Sequence, residues 1–138
     1  MSYLLDTCAL SELIKPVPAS QVVAWFEAAP QNALFVSALT FGEIRKGIET
    51  LPDGRRRDRL AAWLEYDLYE WFDGKVLAVD AAVADEWGRQ TAKLAYTLPA
   101  IGGLIAATAL HHRLTVVTRN VSDFAKFGVE IINPWEIE

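Results

Sequence analysis

Hydrophobic residues along this chain fall into two alternating textures. Short solid runs, Tyr3-Leu4-Leu5, Leu34-Phe35-Val36, Val76-Leu77-Ala78-Val79 and Thr115-Val116-Val117-Thr118, show no apolar–polar alternation. Each reads as a strand buried on both faces. Ile131-Ile132 adds a short fifth strand. Between these runs apolar residues return every three or four positions, the period of a helix packed along one side. Ser11 precedes a short helical turn, Glu12-Leu13-Ile14, that stops near Pro16 and Pro18. Val22, Val23, Trp25 and Phe26 predict a helix from Ser20 that Pro30 ends. Leu39, Glu43, Ile44, Gly47 and Ile48 share a helix after the second strand. Pro52-Asp53-Gly54 breaks the chain before a long helix carrying Leu60, Trp63, Leu64, Leu68 and Trp71. Another helix runs through Val83, Trp87 and Leu94 and is closed by Pro99, and Leu104 to Leu110 forms an alanine-rich helix. Asp123-Phe124 falls in a turn.

Strands alternating with helices over the whole length predict an α/β fold, a mostly parallel sheet with helices on both sides. No repeat or linker interrupts residues 1–138, so one domain is expected. About half of the composition is apolar, enough for a sizeable core. The net charge of −5 argues against a protein that coats nucleic acid. It leaves room for an enzyme that meets nucleic acid through a local basic patch and a bound cation. The single cysteine, Cys8, excludes an internal disulfide and fits a reducing compartment. With no membrane-length apolar run and no signal-like N-terminus, a cytoplasmic location is expected.

In open parallel sheets ligands bind beyond the carboxyl ends of the strands. Asp6 and Thr7 follow strand one; Ser37, Thr40 and Glu43 follow strand two; Thr118, Arg119, Asn120 and Asp123 follow strand four. Asp6, Glu43 and Asp123 are thereby expected to converge. Converging carboxylates repel unless a cation neutralises them. An oxygen-only set suits Mg²⁺, with Mn²⁺ as a substitute, better than Zn²⁺. Such a metal activates water and stabilises in-line phosphoryl displacement. Thr7, Thr40 and Asn120 are candidates for orienting water or a phosphate oxygen, and Arg119 for meeting a phosphate or pairing with the cluster. Taken singly, each acidic residue has a plainer role: Asp6 as a cap, Glu43 as a solvated helix residue, Asp123 as a turn residue.

Four segments in order, Leu4-Leu5-Asp6-Thr7, Thr40-Phe41-Gly42-Glu43-Ile44, Leu104-Ile105-Ala106-Ala107-Thr108-Ala109 and Val117-Thr118-Arg119-Asn120-Val121-Ser122-Asp123-Phe124, resemble the PIN domain. More narrowly they resemble VapC toxins of type II toxin–antitoxin systems, and Asn133-Pro134-Trp135 completes the likeness. The resemblance implies an α/β/α sandwich and a Mg²⁺-dependent endoribonuclease. It also implies a VapB-type antitoxin partner, toxin dimers, and operator DNA reached only through the antitoxin. Carried over, Asp6, Glu43 and Asp123 are acidic metal ligands, and Asn120 matches a position that is acidic in some members. A further ligand Asp is expected where this chain has Gly102, in Pro99-Ala100-Ile101-Gly102-Gly103. A weakened toxin is therefore expected, with an inactive module that only binds its antitoxin as the alternative. Cys8 stands where many relatives carry Asn and is expected to be an inert buried thiol.

Two other enzyme classes fit less well. An Asp-nucleophile phosphatase wants a second Asp where Cys8 stands, and a phosphoacceptor domain wants a Lys that Thr118-Arg119-Asn120 does not offer. Arg55-Arg56-Arg57-Asp58-Arg59 reads as a solvated helix face before it reads as an RNA contact. Arg45 and Lys46, near Glu43, are better placed for a phosphate. His111 and His112 fit a helix C-terminus, where cations are favoured. Trp25, Phe26, Trp63, Trp71, Phe72 and Trp87 are mostly core by spacing. The resemblance adds an antitoxin groove among the early helices, to which the aromatics before residue 72 are suited.

Overall fold

The computed structural model describes residues 1–95 and 98–137. Five strands form one parallel sheet in the order β3-β2-β1-β4-β5, with β1 (Tyr3–Leu5), β2 (Leu34–Ser37), β3 (Val76–Leu77), β4 (Thr115–Val117) and β5 (Ile131–Ile132). Leu4 pairs with Val116 and Leu5 with Val117 across β1 and β4. Paired residues share a face and successive residues alternate faces. Leu5, Val36 and Val117 accordingly enter a core on one side, and Leu4 and Val116 a second core on the other. This double burial is why β1, β2 and β4 read as solid apolar runs; β3, expected to be buried on both faces, lies at the sheet edge with Val76 exposed, and β5 at the other edge is only partly buried.

The first core is covered by α1 (Thr7–Leu13), α2 (Ser20–Ala28), α3 (Ala38–Glu49) and the helix that begins as α4 (Arg55–Ala62). That last helix widens into a π-helical stretch at Trp63–Leu68, where Leu64 and Leu68 are buried, and closes with α5 (Tyr69–Trp71). The second core is covered by α7 (Ala100–His112) and α8 (Val121–Ala125). Helix α6 (Ala81–Thr91) packs on α7 from outside. Ala106, Ala107 and Ala109 have no exposed surface, so their small side chains let α7 lie close to the sheet. The result is the three-layer α/β/α arrangement.

Several boundaries differ from the sequence pattern. Helix α1 begins at Thr7, because Asp6 caps it, rather than near Ser11. Helix α7 begins at Ala100, so Gly102 and Gly103 lie inside its first turn. Strand β3 stops at Leu77, Leu94 lies beyond α6, and Asp123 sits on a short helix instead of a turn. Among the described residues no helix is long and apolar enough to cross a membrane.

Candidate metal and phosphate cleft

Chain connections run outward in opposite directions from β1 and β4, so the crevice between these strands is the switch point where open α/β sheets bind ligands. Asp6 leaves β1 there. Its backbone N–H still donates to Val117 O at 3.0 Å, and its extended backbone places the carboxylate at the head of α1. Oδ1 accepts the Thr7 N–H at 2.9 Å, and Oδ2 accepts the Thr118 hydroxyl at 2.8 Å. The Thr118 oxygen in turn accepts the Asn120 N–H at 3.0 Å. Buried Thr118 thus ties the ends of β1 and β4 together and fixes the Asp6 carboxylate.

Glu43 comes from α3, whose N-terminus is capped by the Ser37 hydroxyl accepting from Leu39 N–H at 3.1 Å. The Thr7 hydroxyl donates to Glu43 Oε1 at 2.6 Å, joining the second carboxylate to the first through adjacent residues. Asp123 comes from α8, where Asn120 Nδ2 donates to its Oδ2 at 2.8 Å and Lys126 lies 3.8 Å from Oδ1. Asp6, Glu43, Asn120, Asp123 and Gly102 all line one cleft of about 460 Å³. Arg119 flanks a shallower depression with Asp6, Thr7 and Glu43, its guanidinium 5.4 Å from the Trp135 ring centre.

The three carboxylates share a cleft without forming a tight cluster. Among the described residues no three His, Cys, Asp or Glu side chains stand close enough to hold a metal ion between them. Gly102 faces the same cleft, and a β-carbon added there meets no atom within 4 Å. Its neighbour differs: a β-carbon at Gly103 would lie 2.9 Å from Trp87 Nε1 and 3.1 Å from Phe127 Cζ. Gly103 is explained by the packing of α6, α7 and Phe127, whereas nothing in the packing calls for a glycine at position 102.

Other candidates fall differently. Thr40 is fully buried, does not line the cleft, and its hydroxyl has no hydrogen-bond partner among the described residues, so it is not placed to touch a substrate. Arg45 is held by Glu65 at 2.6 Å and does not point to the cleft. His111 and His112 are exposed at the far end of α7. Phe26 and Phe72 are core residues, while Trp25, Trp63, Trp71 and Trp87 are half-buried. Burial pushes the Cys8 thiol up, and the Asp6 charge pushes the same way, against smaller opposing contributions from Arg119 N–H and the Thr118 hydroxyl. Cys8 therefore stays a neutral thiol, as expected for a non-nucleophile. Thr118 is the residue that sequence reasoning underrated. Its only signal was a polar residue ending an apolar strand.

A doubly wound parallel sheet carrying separated carboxylates at its switch point defines a three-layer α/β/α protein whose cleft sets Asp6, Glu43 and Asp123 among apolar side chains. The PIN domain profile matches residues 3–130, and the chain belongs to that family. It is 38% identical over 135 residues to a VapC ribonuclease, Y4jK, of Sinorhizobium fredii, covering 96% of each chain. It is 37% identical over 135 residues to the toxin FitB of Neisseria gonorrhoeae, covering 96% of this chain and 97% of FitB. A solved structure of FitAB bound to an IR36 DNA fragment superposes with a TM-score of 0.91 at 33% identity, covering 99% of this chain and 97% of that one.

Proposed function

We propose that this chain is the toxin of a VapBC-like toxin–antitoxin pair, built as a divalent-metal-dependent endoribonuclease. The observation that carries the reading is the meeting of Asp6, Glu43 and Asp123 on one cleft at the sheet's switch point. The names of its relatives, a ribonuclease and a toxin, point the same way. The donor set is oxygen-only, and Mg²⁺ commonly keeps several waters while binding one or two carboxylates. A cleft with separated carboxylates suits that habit. Asp6 and Glu43 would hold the cation, with Asp123 lining the same cleft. When bound, the cation supplies activation of water and neutralisation of phosphate charge.

The chain's own groups have distinct tasks. Thr118 and the Thr7 N–H hold Asp6 in one rotamer, and the Thr7 hydroxyl does the same for Glu43. Asn120 positions Asp123. Arg119, exposed beside Asp6 and Glu43, would meet a phosphate oxygen. The partner is a VapB-type antitoxin, with dimeric toxin in the complex and operator DNA contacted through the antitoxin; the DNA-bound FitAB structure is consistent with that arrangement.

Gly102 supports a weakened site, since a ligand oxygen and a negative charge are missing from the cleft wall. The decisive experiment compares wild type and Gly102→Asp in RNA cleavage and in Mg²⁺ or Mn²⁺ titration. The new carboxylate has open space and lies in the first turn of α7, where the helix dipole favours an anion. Tighter metal binding and faster cleavage are expected, abolished by chelation and by Asp6→Asn. An unchanged metal affinity would remove the weakened-site reading. Cleavage absent from both proteins would favour the second reading, an inert antitoxin-binding module, for which Gly102 is also the motive.

A further inference from the structure

Asn133-Pro134-Trp135 follows β5 directly and lines neither the carboxylate cleft nor the depression beside it. The segment is nevertheless tied down at several points. The Trp135 backbone N–H donates to Asn133 Oδ1 at 3.1 Å, and the Glu136 N–H donates to Asn133 O at 3.2 Å, closing a turn around buried Pro134. The half-buried indole packs against the first core. Its N–H donates to buried Glu12, which also accepts from Lys15 Nζ and from the Ala19 N–H, each at 2.9 Å. Over the ring lies the Arg119 guanidinium, 5.4 Å from its centre. Arg119 flanks the same depression as Asp6, Thr7 and Glu43. Glu43 Oε1 accepts the Thr7 hydroxyl, while Oε2 accepts no hydrogen bond among the described residues. An exposed arginine beside a carboxylate oxygen that lacks a donor ordinarily pairs with it. Here the guanidinium makes no ion pair with any described residue and stacks on the indole instead.

Resting on the metal-dependent reading above, we infer that Trp135 is a positioning residue whose indole face holds Arg119 clear of Glu43. The carboxylates then stay open to a cation, and the guanidinium stays free for phosphate. A cation–π contact and an exposed ion pair are of similar strength, so the ring is enough to decide which one Arg119 makes. Without the ring, an Arg119–Glu43 pair would put a fixed positive charge where a divalent cation has to sit, and like charges repel. Trp135 acts through Arg119 alone, and Glu12 and the Asn133 turn fix the ring that does the holding.

The test compares the full chain with Trp135→Leu, Trp135→Phe, Arg119→Gln and the double variant Trp135→Leu/Arg119→Gln. Mn²⁺ uptake is titrated by electron paramagnetic resonance with no RNA present. Trp135→Leu is expected to bind Mn²⁺ about two- to fivefold more weakly, the range that one exposed ion pair supplies. Trp135→Phe keeps a ring face and should bind like wild type. Removing the guanidinium should cancel the defect, so the double variant should match Arg119→Gln. A general disturbance of the site would not be cured in this way, and a defect that persists in the double variant would overturn the proposal. Unchanged Mn²⁺ affinity in Trp135→Leu would do the same. A second readout needs no metal. The Arg119 Nε–H proton resonance should be shifted upfield by the indole ring current in wild type. It should move downfield in Trp135→Leu and respond to Glu43→Gln only in that background. The wild-type shift is read on the unaltered protein, so an Arg119 resonance at the position of the other exposed arginines would overturn the proposal whether or not Trp135→Leu folds. If the resonance behaves as expected while wild type takes up no Mn²⁺, the metal reading fails and the placement of Arg119 by Trp135 stands.

Discussion

At the scale of single residues the cleft depends on side chains that never reach a substrate. Thr118 has no exposed surface, yet its hydroxyl donates to Asp6 and accepts from Asn120 N–H. Thr118→Val keeps the shape and removes both bonds, leaving Asp6 with one fewer donor and the Asn120 N–H without its acceptor. The expected cost is about 1–3 kcal/mol of stability. RNA cleavage should also fall by about tenfold or more, because the carboxylate can turn away from its productive position. Thr118→Ser keeps the hydroxyl and should recover most of both. Chemical denaturation and single-turnover cleavage measured side by side would check this, and equal behaviour of the Val and Ser variants would show that the hydroxyl is idle. Cys8 contrasts with Thr118: with its thiol pushed up by burial and the Asp6 charge, it packs beside the site and offers no nucleophile.

At the scale of elements, two adjacent glycines in α7 should respond oppositely to the same substitution. Gly103→Ala drives a β-carbon against the Trp87 and Phe127 rings, for an expected loss of about 1–3 kcal/mol. Gly102→Ala meets open space and should be neutral or stabilising by up to about 1 kcal/mol, from helix propensity. Urea midpoints separate the two, and similar losses at both positions would contradict the packing account. Helix α1 gives a pH-dependent case. Buried Glu12 accepts from Lys15 Nζ and from Ala19 N–H, each at 2.9 Å, linking the end of α1 to the start of α2. Lys15 and then the Ala19 N–H hold its carboxyl below the usual range. A depressed folded value makes the contribution complete above the unfolded value, about 4.3 for Glu, and lost as pH falls through the folded one. Melting of wild type against Glu12→Gln should therefore differ at pH 7 and converge toward pH 3; a constant gap would mean that the charge is not what stabilises the junction. The two elements also mark what the sequence could and could not reveal. The three inner strands β1, β2 and β4 were legible because double burial leaves solid apolar runs, and α2 and α3 because each buries one face; the edge strands β3 and β5 are only partly buried and were legible as short apolar runs alone. The start of α1 was hidden because Asp6 reads equally as a strand end and as a cap. The start of α7 was hidden because two glycines resemble a loop. The π-helical widening at Trp63–Leu68 leaves no mark in the apolar spacing.

At the scale of the whole molecule, charge is distributed against a simple nucleic-acid-binding surface. The chain carries −5 overall, and among the described residues Arg119 is the one cation that flanks the shallow depression holding Asp6 and Glu43, while Lys126 is drawn to Asp123. Arg56 and Arg59, two of the arginines without an ion pair among the described residues, border a second groove between α1, α3 and α4. The separation of Asp6, Glu43 and Asp123 in sequence made their convergence inferable from topology alone, whereas this partition of the cations depends on helix facing and could not be read beforehand. It predicts weak salt dependence for RNA. Single strands give a logarithmic slope of about −0.7 per phosphate contact, so one or two contacts change affinity by less than about tenfold between 50 and 200 mM salt. Binding of a short single-stranded RNA to Asp6→Asn, followed by polarisation across that range, measures the slope without cleavage. A shallow slope, together with tighter binding when Mg²⁺ is added to wild type under single-turnover conditions, fits a cleft that relies on a bound cation to meet phosphate. A slope several times steeper would mean that RNA reaches Arg56 and Arg59 as well. In that case the RNA path would extend from the acidic cleft along the basic edge of the second groove, and the cleft alone would not account for substrate binding.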